Sequence, residues 1–295
     1  MRVAVSVLLP FSLVWGALLL GPLSVVRSWG PYGHAISARA AVGALPSGMP
    51  RFFVEAVDQL AYLNGEPDRW RDAAESEQDP AMNAAHSVEH YLDLELVPQG
   101  ALDSPDRNAF VRAAGDDPFP GLVSYRMLEL FQRLRVEFRL WREETDPEVR
   151  GWIEQRIIND AGILGHYVTD VANPLHTTMH FDGWVGDNPD GYTADRGIHS
   201  RFESVYVAAY LELDDLTPLM DSPARIWDDP RQAFRLHIDE SFRYVEPLYR
   251  LDRGVPFSET TDSARHRAFT AERLAAGALQ LRDAWWTAWM TSAPE

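Results

Sequence analysis

Cysteine is absent from the 295 residues, which excludes disulfides, thiolate metal sites, cysteine nucleophiles and lipid anchors on Cys. Any metal must therefore sit on His, Asp and Glu. Lysine is absent too: the 27 basic residues are all Arg, against 44 acidic ones, for a formal net charge of -17. That balance argues against a protein that binds duplex nucleic acid stably, because such a protein needs a basic face to neutralise phosphates. Strand-like alternation is nearly missing, and no internal repeat or low-complexity linker stands out. Apolar material is plentiful. At 46% hydrophobic, with ten Trp, ten Tyr and thirteen Phe, the chain can bury a large core and is not a disordered tail.

Part of that total is N-terminal. Arg2 precedes an apolar stretch, Val3 to Val26, interrupted by Pro10 and Pro22, and Val-Arg-Ser then leads to Trp29. The pattern predicts a signal peptide over 1–28, cleaved after Ser28, and a secreted or periplasmic mature domain over 29–295. An uncleaved anchor is the alternative, since the stretch is nearly long enough to span a bilayer. The prolines and the small residue at its end favour cleavage. Removing 1–28 takes away Arg2 and Arg27 and no acid, so the mature chain is more acidic still. Export without disulfides leaves bound metal as a means of stapling the fold.

The remaining pattern is helical. Periodicity predicts helices from about Gly33 to Val42, Arg51 to Leu63, Leu122 to Glu143, Pro147 to Ala172, Ser200 to Leu211, Arg231 to Leu248 and Ser263 to Met290. Asp146 is placed to cap the helix from Pro147, and Pro174 to stop it. Glu66 to Asp79 and Phe181 to Gly197 read as long polar loops. The expectation is a single all-α, multi-helix domain with two functional loops.

Nine histidines occur, and their neighbours carry the chemistry. In His166-Tyr-Val-Thr-Asp170-Val-Ala-Asn-Pro-Leu-His176, His166 and Asp170 are four apart and share a helix face. Pro174 ends the helix and lets His176 approach from a turn. The same step recurs in His199-Ser-Arg-Phe-Glu203. Each pair alone is weak, being more often a solvated or capping pair than ligands. Two further strings strengthen them: Trp29-Gly-Pro-Tyr-Gly-His34, and Glu89-His90-Tyr-Leu-Asp93-Leu. Inward-pointing His and carboxylate sets of this kind build multinuclear metal sites in helical bundles.

In order and spacing these strings resemble the trinuclear zinc phosphodiesterase superfamily that includes bacterial zinc-dependent phospholipase C and the fungal single-strand-specific nucleases. The Trp-Gly-x-x-Gly-His opening and the His166 string are similar to the nuclease branch. His-Ser-x-Phe-Glu is similar to the phospholipase branch, where nucleases usually carry Asp in place of Glu203. The resemblance runs from Trp29 to about Tyr206; the C-terminal third matches only as helix.

It implies three Zn²⁺ ions in the helical core. One would be held by Asp68, His90, His166 and Asp170; a second by Asp170, His34 and the main-chain amine and carbonyl of Trp29; a third by His176, His199 and Glu203. Only cleavage after Ser28 frees the Trp29 amine. Asp68 fits the family habit of an Asp followed three positions later by Arg, while Asp72 and Asp79 lie in the same loop and are equally acidic. Arg69 and Arg71 read as surface ion-pair partners of that loop, worth little there. His86, Asp93 and Asn173 are candidates for groups that orient the ligands; His180, His237 and His266 lack a supporting pattern. Trp285, Trp286 and Trp289 read first as packing aromatics, with transient membrane contact as a lesser possibility.

The implied reaction is zinc-dependent hydrolysis of a phosphodiester: a water activated between zinc ions attacks phosphorus, Asp68 receives its proton, and zinc serves the leaving oxygen because no general acid is apparent. The acidic chain and Glu203 lean toward phospholipid headgroups. Single-stranded nucleic acid is the alternative, with Tyr91, Phe181, Trp184 and Tyr192 available for stacking or as a cation cage. A non-catalytic, zinc-stapled binding module is the reading from another class. Against it, two of the ligand sets are too small to close their zinc ions.

Overall fold

The computed structural model describes residues 29–115 and 117–293. The leader expected over 1–28 lies outside them. Among the described residues there is no strand beyond isolated bridges such as Leu92 with Gly121, and no helix is long and apolar enough to cross a membrane. The described residues form an all-helical single domain, as composition and periodicity predict.

Its helices are α1 (Gly30–Gly43), α2 (Arg51–Glu55), α3 (Val57–Leu63), α4 (Glu66–Arg69), α5 (Ala73–Gln78), α6 (Pro80–Ser87), α7 (Arg107–Ala114), α8 (Val123–Glu143) and α9 (Pro147–Asp170). There follow α10 (Ile198–Ser200), a π-helical stretch Arg201–Tyr206, α11 (Val207–Tyr210), α12 (Leu213–Leu216), α13 (Pro230–Phe242), α14 (Val245–Gly254) and α15 (Ala264–Met290). Helix α9 starts where its sequence says: Asp146 accepts from the Glu148 N–H at 2.9 Å, with Pro147 in the first turn.

Three predicted elements differ from the structure. The helix from Arg51 breaks at Ala56, and the one from Arg231 breaks between Phe242 and Val245. The polar stretch Glu66 to Asp79 is not a loop but three short helices, α4 to α6, the last running on to Ser87. Asp72 and Asp79 start the last two: Asp72 accepts from the Ala74 N–H at 2.9 Å and Asp79 from the Ala81 N–H at 3.0 Å, each supplying an orphan helix-start donor with an acceptor.

Helix α9 is the centre of the domain, packed against α8, α3, α15 and α1. From Asp160 to Asp170 every residue is buried. Close approach of α3 depends on glycine: a Cβ at Gly162 would lie 2.4 Å from Leu63 Cβ, and one at Gly165 2.8 Å from Asn64 Nδ2. The Asn64 side chain therefore reaches α9. Trp285 is fully buried, packs edge-on against Phe53 and donates to the Ala161 carbonyl; half-buried Trp289 donates to the Gly48 carbonyl. These tryptophans, with half-buried Trp286, are packing groups of the core, in line with their first reading.

Candidate metal centre

The C-terminal end of α9 presents His166 and Asp170, both fully buried, with His166 Nε2 3.2 Å from Asp170 Oδ2. Helix α1 brings His34 onto the other carboxylate oxygen, Nε2 to Oδ1 at 3.2 Å, and stacks its ring on His166 at 4.3 Å. His90, in the turn after α6, places Nδ1 3.0 Å from Asp170 Oδ2 and 2.9 Å from His166 Nε2. Asp68 of α4 lies 4.0 Å from His166 Nε2. Pro174 opens a single 3₁₀ turn after α9 that delivers His176, whose Nε2 stands 3.1 Å from His199 Nε2 and 3.5 Å from Glu203 Oε2. His199 and Glu203 meet at 2.9 Å. Their four-residue step survives although Glu203 sits in the π-helical stretch, a backbone form that recurs at functional sites.

These side chains form three groups whose donor atoms lie within 4.8 Å of one another: His34, His166 and Asp170; Asp68, His90 and His166; and His176, His199 and Glu203. His166 belongs to two of them. Asp72 and Asp79, as acidic as Asp68 and in the same stretch, cap helices instead.

Hydrogen bonds fix the imidazoles. His166 donates from Nδ1 to the Asn64 carbonyl at 2.7 Å, and His176 from Nδ1 to the His90 carbonyl at 2.8 Å. A neutral imidazole so held turns its Nε2 lone pair toward the cluster, as metal-bound histidines do. His34 Nδ1 meets Asn64 Oδ1 and Thr169 Oγ1, both at 2.9 Å. Asn173, expected to orient imidazoles, donates to Glu203 Oε2 at 3.1 Å. His86 faces the Trp70 ring at 5.9 Å, and Asp93 is buried with its Oδ1 lacking a hydrogen-bond partner. Trp29 is fully buried beside the centre, its indole donating to the Thr169 carbonyl at 2.6 Å and packing on Phe202.

Burial sets the electrostatics. It pushes His90 and His199 down to about 4 and Glu203 up to about 8, because each charged form loses water. Burial opposes ionisation of Asp170 and Asp68 as well, yet His166 and other imidazoles hold both carboxyls below the usual range. For His166, burial acts downward, yet Asp170, Asp68 and the hydrogen bond to Asn64 together raise the imidazole.

The donor set fits divalent metal. His90 Nε2 and Glu203 Oε1 are buried without a hydrogen-bond partner, an arrangement that costs free energy unless something else binds those atoms. Imidazole nitrogen and carboxylate oxygen are the normal non-thiolate ligands of zinc.

Sequence reading missed Arg71. It is not a surface residue: its side chain is 5% exposed, its Nη1 lies 3.6 Å from Asp68 Oδ1, and its Nε lacks a hydrogen-bond partner. Its charge also acts on Tyr91 and His199. Of the expected aromatics, Phe181 is exposed and 6.2 Å from the His199 ring, whereas Tyr192 is buried against Trp184 and Tyr249. The remaining histidines are structural: His237 bonds the Val168 carbonyl, His266 bonds Ser263 and the Val255 carbonyl, and His180 stacks on Trp184.

No protein-family model matches this chain, and no curated protein does. Among solved structures it is similar to the alpha-toxin of an avian strain of Clostridium perfringens, at a TM-score of 0.44 and 13% identity over 90% of this chain. The match covers 64% of that protein, so this chain spans less than two thirds of its length. Likeness at this level bears on neither activity nor ligand.

Proposed function

We propose that this protein is a zinc-dependent phosphodiester hydrolase that acts on phospholipid headgroups. The observation that carries the reading is the convergence of three His and carboxylate groups, two of them sharing His166 and the third adjoining Asp170 through His176, at the end of one buried helix. His34 and Asp170 would hold one ion, Asp68, His90, His166 and Asp170 another, the two Asp170 oxygens facing the two sets, and His176, His199 and Glu203 a third. Bound there, zinc supplies Lewis acidity and activates water near neutral pH.

The chain's own groups do the rest. Asp68 is 15% exposed where Asp170 and Glu203 are fully buried, which makes it the carboxylate that solvent and substrate can reach. It takes the proton of the attacking water. Arg71, a buried guanidinium beside it with an unused Nε–H, is placed to grip a phosphoryl oxygen and offset charge gained at phosphorus. Phe181 offers an apolar face to the substrate at His199. The net charge of -17 favours a ligand presenting one diester at a time over a long polyanion.

Removal of residues 1–28 and export are part of the same proposal. The sequence pattern supports them, and a freed amine at Trp29 would stand next to the centre that its indole already adjoins.

The test is hydrolysis of a choline phospholipid in mixed micelles and of single-stranded DNA, with and without chelator and with zinc restored. Chelator-sensitive release of the phosphorylated headgroup is expected. Cleavage of DNA alone overturns the substrate class. Bound zinc with no cleavage of either substrate leaves the non-catalytic module and overturns the enzyme.

A further inference from the structure

The stretch from His176 to His199 has to cross about twenty residues and still return a histidine to the cluster. Two anchors hold it. At one, Tyr249 of α14, fully buried, accepts from the Gly183 N–H at 3.1 Å and donates to the His180 carbonyl; His180 stacks on Trp184 with ring centroids 3.9 Å apart. At the other, Asp182 Oδ1 accepts from the Gly197 N–H at 2.6 Å and the His199 N–H at 3.4 Å.

The second anchor is unusual in origin. Gly197 stands where α10 would carry its own cap, but it has no side chain and sits at a φ of 112°, a conformation glycine accepts most easily. An acceptor from fifteen positions earlier, Asp182, does the capping instead. One of the backbone groups it holds belongs to His199, and the imidazole of His199 is 2.9 Å from Glu203 and 3.1 Å from His176. The next residue before Asp182 is Phe181, the exposed ring beside His199.

We propose that Asp182 is a positioning residue for the His176, His199 and Glu203 group: by capping the turn that carries His199, it sets the imidazole in place for a divalent cation. This rests on the metal reading above. Asp182 is not itself a ligand in this scheme; it acts through the backbone of His199. An outer contact that holds a ligand typically changes metal affinity about 10- to 100-fold when lost.

Three substitutions separate the hydrogen bond from the charge. Asp182→Ala removes both; Asp182→Asn keeps an oxygen acceptor at the same reach; Asp182→Glu keeps the charge and moves the acceptor outward by one methylene. Full-length protein is loaded with zinc and titrated with a competing chelator, the Co²⁺-substituted form is followed by its visible spectrum, and folding is checked by circular dichroism. With wild type binding about three ions, Asp182→Ala and Asp182→Glu are expected to loosen one of them about 10-fold or more and to alter the Co²⁺ bands, while Asp182→Asn stays within a few-fold of wild type. Wild-type affinity in Asp182→Glu overturns the proposal, and this variant decides the matter even where Asp182→Ala fails to fold. Equal loosening in Asp182→Asn and Asp182→Ala overturns it as well, since charge and not the cap is then responsible. A wild type that binds no divalent ion removes the metal reading itself, a result distinct from either.

Discussion

Asn64 holds His166 through its main chain: the carbonyl accepts the Nδ1–H at 2.7 Å, while the Oδ1 of the same residue meets His34 Nδ1 at 2.9 Å. One residue at the end of α3 thus orients two candidate ligands from two other helices. Asn64→Ala keeps the first contact and removes the second. Zinc affinity is expected to fall about 10-fold at one ion with the others retained, measured by chelator competition; unchanged affinity would show that Thr169 alone suffices for His34.

Asp68, Asp72 and Asp79 are indistinguishable by residue type and differ only in what they touch. Asp68→Ala is expected to lower bound zinc and abolish hydrolysis. Asp72→Ala and Asp79→Ala remove helix caps and should each cost about 1 kcal/mol with metal content intact. Zinc content by atomic absorption, beside chemical denaturation, checks all three.

A methyl group at Gly162 has no room, because it would lie 2.4 Å from Leu63 Cβ. Gly162→Ala is expected to destabilise by about 1–3 kcal/mol, the usual cost of overpacking. Since α3 would move away from α9, its zinc affinity should fall too, although no ligand is changed.

Glu137 of α8 gives a pH signature remote from the metal centre. Burial, helped by the neighbouring Asp160, raises its carboxyl from 4.5 to about 7. A raised acid binds its proton more tightly folded than unfolded, so its contribution to stability is complete below about pH 4.5 and is lost as pH rises toward 7. The loss amounts to at most about 3 kcal/mol. Glu137→Gln should therefore gain stability relative to wild type between pH 5 and pH 8, read as the difference between urea midpoints. No change in that difference across the range would contradict the assignment.

Removal of metal should be felt by the whole fold. The candidate ligands come from α1, α4, α9, α10, the π-helical stretch and the turns that carry His90 and His176, so an ion bound only by the folded state stabilises it by an amount that grows with the logarithm of its affinity. Chelator is expected to lower the thermal midpoint, and stoichiometric zinc to restore it.

The helical class, the limits of α9 and the pairs His166 with Asp170 and His199 with Glu203 were legible because each depends on local spacing. Capping by Asp72 and Asp79 was open to reading and was overlooked, since acids in a polar stretch suggest a loop when their chain neighbours are not tested as helix starts. Arg71 and Asp182 were not legible. The burial of Arg71 depends on elements far along the chain, and Asp182 caps a turn fifteen residues away across a loop with no fixed period. The break at Ala56 has no proline or glycine to announce it; only tertiary packing decides it.

Helix α9 runs 24 residues and ends at Asp170 with no basic residue in its last turn. The negative pole of its backbone dipole therefore opens directly onto the candidate ligands. Such a field draws cations and repels phosphate before any side chain is counted. Under the proposed function, the ions would therefore load before an anionic substrate, and substrate affinity would serve as a gauge of metal occupancy.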